Sequence, residues 1–127
     1  FVFLFIVVVV TPTANVGRTT ADVLPDNFGV LLAAADAARG AELVETIGCS
    51  ACHVVGAANN VAPPFEGVTA RAAQRQPPLT AEAYLYESIV NPNVYTVPDY
   101  PPSMPQNYDE VLSDEQLANI VAFLLTR

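Results

Sequence analysis

The chain has 127 residues, enough for one small domain and an arm, and a core built from so few residues is modest unless something else is buried with it. Thirteen acidic residues against five basic ones give a formal charge of −8, and all five basic residues are arginines: Arg18, Arg39, Arg71, Arg75 and Arg127. Nucleic-acid phosphates would repel such a chain, so nucleic acid is excluded as a partner; the charge either favours a basic docking face on a protein partner or serves only solubility.

Residues 1–10 are all phenylalanine, valine, leucine or isoleucine. A spanning helix needs about 20 residues, so the run reads as the end of a transmembrane anchor that begins upstream, with a signal-peptide core and a short buried strand as alternatives. The first two readings both imply export. Residues 11–35 contain proline, threonine and asparagine without a sustained period and read as a tether. Within it, small apolar residues from Phe28 onward leave room for one or two helical turns. Asp36 can cap a helix in which Gly40, Leu43, Val44 and Ile47 recur at i, i+3, i+4 and i+7 as one buried stripe.

That helix runs into Cys49-Ser50-Ala51-Cys52-His53. A Cys-x-x-Cys-His run reads as the covalent attachment site of a c-type haem, because it delivers two thiols for thioether bonds and one imidazole for the iron within about one helical turn. Gly48 lets the chain turn into it or approach the porphyrin closely. A disulfide between the two cysteines is the bland alternative, and a thioredoxin-like redox pair would want a βαβ context that the sequence lacks. Structural zinc needs about four ligands, and the chain holds only these two cysteines and one histidine.

Residues 54–62 read as loop and lead into Pro63-Pro64-Phe65-Glu66-Gly67. The prolines keep carbonyl acceptors while removing amide donors, and a metal-bound imidazole usually gives its other N–H to such an acceptor. Pro63 is the candidate, with a plain proline-rich turn as the alternative. Thr80 then caps a helix carrying Tyr84, Leu85, Ile89 and Val90, which stops before Pro92 and forms a second wall for the haem. The stretch from Asn93 to Tyr108 interleaves prolines and tyrosines, a composition that favours packing over a free linker. It contains Met104, the chain's only methionine. Methionine more often fills a core than binds metal, but with no second histidine its thioether is the natural sixth ligand of the iron. Finally, Ser113 and Gln116 form a capping box for a helix with Leu117, Ile120, Val121 and Leu124 on one face. With its one histidine assigned to iron, the chain offers no obvious general base, and the reading is of a protein that is not itself an enzyme.

Residues 36–127 resemble class I cytochrome c. The resemblance rests on the helix containing Ala38-Arg39-Gly40-Ala41-Glu42-Leu43, the haem motif, the Pro63-Pro64-Phe65-Glu66-Gly67 loop, Ser103-Met104-Pro105 and the Leu112-Ser113-Asp114-Glu115-Gln116-Leu117 segment. It implies an all-α fold around one covalent haem c, with Cys49 and Cys52 as thioether residues and His53 and Met104 as axial ligands. Pro63 supplies the carbonyl facing the histidine, and the first and last helices cross at Gly40. The segments Tyr84-Leu85-Tyr86-Glu87-Ser88-Ile89-Val90-Asn91-Pro92-Asn93 and Tyr100-Pro101-Pro102-Ser103-Met104-Pro105 narrow the resemblance. They are similar to cytochrome domains fused to subunit II of bacterial haem-copper oxidases, and to mono-haem subunits of quinol-oxidising complexes such as alternative complex III. The chain departs from the fused oxidase pattern, having no histidine or cysteine before its haem motif for an upstream copper site. It also lacks the lysine-rich face of the mobile mitochondrial members.

The resemblance therefore implies one-electron transfer by a membrane-anchored subunit of a quinol-oxidising or terminal-oxidase complex. Its haem domain would lie on the periplasmic side of a bacterial cytoplasmic membrane, and its partners would be redox proteins of that complex. The alternatives are a free-standing anchored carrier and a haem-based sensor or enzyme with a labile sixth ligand.

Overall fold

The computed structural model describes residues 17–54 and 61–127; residues 1–10, read as the end of an anchor, lie outside them. The described residues form seven helices and no strand: α1 (Thr20–Val23), α2 (Phe28–Ala33), α3 (Ala37–Thr46), α4 (Val68–Arg75), α5 (Ala81–Val90), α6 (Tyr108–Val111) and α7 (Asp114–Leu124), with a 3-10 turn at Cys49–Ala51. Among the described residues, no helix is long and apolar enough to cross a membrane.

The centre of the fold is the contact between α3 and α7. Helix α3 starts where the Asp36 carboxylate accepts the Ala38 and Arg39 N–H groups at 2.9 and 3.3 Å, which satisfies amides that have no partner within the helix. Helix α7 starts at the capping box, where Ser113 Oγ accepts from the Gln116 N–H at 3.2 Å and Gln116 Oε1 accepts from the Ser113 N–H at 2.9 Å. Leu117, Ala118, Ile120, Val121 and Leu124 of α7 are buried, as is Val44 of α3. The helices meet backbone to backbone at Gly40: a Cβ there would lie 1.9 Å from the Asn119 carbonyl oxygen and 2.8 Å from Phe123 Cβ. One turn away the buried Asn119 side chain accepts the Asp36 N–H at 2.8 Å, so the start of α3 is fixed to the middle of α7.

Helix α5 is covered on nearly every side, with Ala83 to Glu87, Ile89 and Val90 all buried. This suits a central helix, since a helix apolar around most of its circumference must be enclosed. Thr80 caps it by accepting the Ala83 N–H at 3.4 Å, and it ends at Asn91 before Pro92. Helix α4 has no counterpart in the helices expected from sequence. It packs on α5 and is tied to the end of α7 by Thr69 Oγ1, which donates to the Leu124 carbonyl at 3.0 Å.

The described part of the segment read as a tether, residues 17–35, is docked on the domain and contributes to its core. Phe28 is fully buried, its ring meeting Tyr86 edge-on at 4.8 Å, and α2 packs on α7. Burying one such side chain contributes about 1.5–3 kcal/mol. Upstream, the Arg18 guanidinium pairs in fork fashion with Glu87, a carboxylate only 5% exposed, and Thr20 Oγ1 accepts the Thr80 N–H at 3.1 Å. A buried carboxylate needs such a partner. Its position in α5 therefore holds the upstream chain in place.

Candidate functional site

At the end of α3, Gly48 adopts φ +90°, a left-handed conformation that L side chains resist, and this turns the chain into the Cys49–Ala51 turn. Nothing lies within 4 Å of where its Cβ would be, so the requirement for glycine here is one of backbone conformation. The His53 N–H closes the turn onto the Cys49 carbonyl at 3.1 Å. The two cysteines are not joined in a disulfide; Cys49 is half-buried and Cys52 exposed. Burial pushes the Cys49 thiol above its ordinary pKa, with the charges of Cys52 and Glu45 adding to the rise and a backbone hydrogen bond opposing it. An activated redox thiol is shifted the other way.

The His53 ring is held from two sides. Its Nδ1 lies 2.7 Å from the Pro63 carbonyl oxygen, which can only accept, so Nδ1 carries the proton and Nε2 is left with its lone pair. Phe65 stacks on the ring at 4.7 Å with an interplanar angle of 4°. Burial lowers the imidazole pKa and the bond to Pro63 opposes that shift, a balance that leaves His53 neutral near pH 7. The loop from Pro63 to Gly67 is fixed from behind by Arg71, whose guanidinium donates to the Pro64 carbonyl at 2.6 Å and to the Glu66 carbonyl at 2.7 Å. Arg127 adds an ion pair to the Glu66 carboxylate at 3.4 Å.

These residues open onto a cavity of 370 Å³, within the range of small-molecule and cofactor sites. Its walls come from the end of α3 (Val44, Ile47), from α4 (Val68, Arg71, Arg75), from α5 (Tyr84, Leu85, Ser88, Ile89), from α7 (Ile120, Leu124) and from the loop that carries Tyr95, Tyr100 and Met104. Cys49, Cys52, His53, Pro63 and Met104, the five residues singled out in the sequence, all line it. Met104 is half-buried and packs against the hydrophobic core. Apart from Arg71, Arg75 and a few small polar residues, the lining is apolar and aromatic around two cysteine sulfurs, one imidazole with a free nitrogen and one thioether. That donor set suits a planar apolar macrocycle with a central metal, and the residues fit haem c.

Sequence reading missed the stacking of Phe65 on His53, the hold of Arg71 on the loop carbonyls, and the contribution of α4 to the wall. The signal for α4 was present in its alanine-rich Val68–Arg75 composition, and Arg71 stands four residues beyond Gly67, one turn into that helix. Its partners, being backbone carbonyls, leave no trace in residue identity.

The fold and the cavity define a small helical protein built around a covalently attached redox cofactor. The family model described as cytochrome c matches residues 37–127, and the chain belongs to that family. It is a class I c-type cytochrome that binds one covalent haem c and serves as an electron carrier. No curated protein and no solved structure gives a significant match to the chain.

Proposed function

We propose that this cytochrome is a membrane-anchored electron-transfer subunit, with Cys49 and Cys52 as the thioether residues and His53 and Met104 as the axial ligands. The observation that carries the ligand assignment is the convergence of all four side chains on one cavity, together with the Pro63 carbonyl that directs His53 Nε2 away from itself. When bound, haem c supplies a one-electron ferric–ferrous couple. The chain's part is to hold that couple in a nearly unchanging frame. Pro63 and Phe65 fix the imidazole plane, Arg71 and Arg127 fix the loop behind it, and the prolines on either side of Met104 restrict the backbone that presents the thioether. Thioether ligation raises the potential relative to two histidines, which suits electrons arriving from quinol oxidation.

The anchored arrangement draws on the uncharged apolar run of residues 1–10, and the complex role on the Tyr84–Asn93 and Tyr100–Pro105 segments. On this reading the haem domain lies on the periplasmic side of a bacterial cytoplasmic membrane and exchanges electrons with other subunits there. The test is to express the chain with haem-c maturation and record oxidised and reduced spectra of wild type and Met104→Ala, alongside membrane and soluble fractions. Wild type should show a c-type reduced α band and a weak near-infrared methionine–iron band, and should sediment with membranes. Met104→Ala should lose the near-infrared band, lower the potential and bind carbon monoxide when reduced. An unchanged spectrum and potential in Met104→Ala would remove Met104 from the ligand set, and a wholly soluble protein that copurifies with nothing would remove the anchored-subunit reading.

A further inference from the structure

Between α5 and α6 the chain runs without helix, and this loop brings Val97, Tyr100 and Met104 into the cavity wall. The Tyr100 N–H donates to the Val97 carbonyl at 3.2 Å, closing a four-residue turn with Pro98 and Asp99 at its corners. Asp99 has φ +74°, and among the described residues it is the one non-glycine in the left-handed region. Proline at the first corner and positive φ at the second define a type II turn, whose second corner is ordinarily glycine or asparagine. Aspartate tolerates that backbone better than an apolar residue does, yet at a cost that glycine avoids.

No ion pair accounts for an aspartate at this position. Asp99 is exposed, it joins none of the salt bridges among the described residues, and it is the one charged residue between Glu87 and Asp109. What the position imposes is a backbone conformation. The segment that follows is stiff: Tyr100 precedes a proline and is biased toward extended backbone, and Pro101 and Pro102 have φ fixed by their rings. The Ser103 N–H then donates to the Pro101 carbonyl at 2.9 Å, a tight turn immediately before Met104. The direction in which the chain leaves Asp99 is thus carried almost unchanged to Met104. Glycine at 99 would permit the same turn and many others, so a non-glycine residue held at positive φ narrows the directions open to the loop.

We propose that Asp99 is a positioning residue for the thioether of Met104: its left-handed turn aims the Tyr100–Met104 segment into the cavity, and a residue that resists positive φ there lets the thioether swing away. The proposal rests on the reading of Met104 as the sixth ligand. The Asp99 carboxylate itself takes no part. A β-branched residue at 99 resists the left-handed conformation most strongly. The loop then relaxes only by abandoning the turn, and the thioether is held less firmly in place.

The test uses ferric holoprotein as wild type, Asp99→Asn, Asp99→Gly, Asp99→Ala and Asp99→Val. Each is titrated with imidazole, which competes with the thioether, while the near-infrared methionine–iron band is followed, and thermal unfolding is measured separately. Asp99→Asn and Asp99→Gly accept positive φ, so their apparent imidazole affinity should stay within about twofold of wild type. Asp99→Val should bind imidazole about tenfold more tightly and show a weaker band, with Asp99→Ala in between. Equal imidazole affinity in wild type and Asp99→Val, even with a lowered Tm, would leave the turn a merely structural role and overturn the proposal. An Asp99→Asn affinity matching that of Asp99→Val would also overturn it, because the carboxylate would then be the group that matters. Should Asp99→Val fail to mature, Asp99→Ala decides by the same comparison. A wild type without the near-infrared band, or an imidazole affinity unchanged by Met104→Ala, would instead remove Met104 from the ligand set.

Discussion

Replacing Gly40 by alanine isolates the contact on which the fold depends. In an exposed helix the change would be favourable, since alanine is better than glycine by about 0.8–1.0 kcal/mol in a helix interior. Here the added Cβ would sit 1.9 Å from the Asn119 carbonyl oxygen, 2.6 Å from its carbonyl carbon and 2.8 Å from Phe123 Cβ. Two of these three are backbone atoms of α7 and cannot rotate away. Ordinary non-bonded separation is about 3.5 Å, so α3 and α7 must part by more than about 1 Å, and a gap of 0.5–1 Å already forfeits roughly a quarter to a half of the dispersion energy across it. Overpacking of this kind typically costs about 1–3 kcal/mol and occasionally more. The clash with backbone places Gly40→Ala at the upper end, so after the propensity gain the net loss is about 2 kcal/mol, or roughly 10 °C in Tm for a domain of this size. The built-in comparison is Gly29 in α2, whose added Cβ would meet nothing within 4 Å. Gly29→Ala should be neutral or stabilising by up to about 1 kcal/mol. Thermal unfolding of the two holoprotein variants, followed by far-ultraviolet circular dichroism, reads the contrast. Equal Tm values for Gly40→Ala and Gly29→Ala would refute the close crossing of α3 and α7.

Arg71→Gln removes charge-assisted hydrogen bonds to the Pro64 and Glu66 carbonyls, so it should cost about 2 kcal/mol in denaturant unfolding. It should also broaden or shift the His53 ring-proton resonances, a local effect absent from an equally destabilising core variant. Arg18→Ala strands the buried Glu87 carboxylate. Because the Arg18 side chain is 45% exposed, the cost should fall between the values for surface and buried pairs, at about 1–3 kcal/mol. Limited proteolysis should then cut between residues 17 and 27, where wild type is protected; unchanged protection would show that the pair does not hold this segment.

Much of the site was legible because haem attachment is encoded locally. Cys49, Cys52 and His53 are within one turn of each other in sequence, so residue identity and spacing suffice. The helix starts at Asp36, Thr80 and Ser113 were legible for the same reason: a cap is a side chain bonding to amides two or three residues away. Met104 and Pro63 were harder. They reach the cavity only through tertiary folding, and they stood out because the chain has a single methionine and because Pro63 opens the first proline pair after the motif. What could not be read was whatever depends on backbone partners or on contacts distant in sequence. Arg71 bonds to carbonyls, Glu87 answers an arginine 69 residues away, and Phe28 is buried by helices that come much later in the chain. Low hydrophobic periodicity made residues 17–35 look unattached. Their attachment comes instead from one buried aromatic and one buried ion pair, neither of which produces a period.

That attachment changes what the proposed anchor would do. A free tether over residues 11–35 could extend at most about 85 Å, at roughly 3.3–3.6 Å per residue. With the chain docked from Gly17 onward, only residues 11–16 remain between the apolar run and the domain, a reach of about 20 Å. For an anchored domain, a shorter reach confines the haem to a thinner layer above the bilayer and raises its effective concentration toward membrane partners, provided their sites lie within that layer. On the anchored reading proposed above, the Arg18–Glu87 pair and the burial of Phe28 would act as a length setting on the tether, and their loss should affect electron delivery as well as stability. In membranes from cells producing Arg18→Ala together with Phe28→Ala, quinol-driven reduction of this haem should slow even at a temperature where both proteins are fully folded. An unaltered rate would mean that tether length does not limit the encounter.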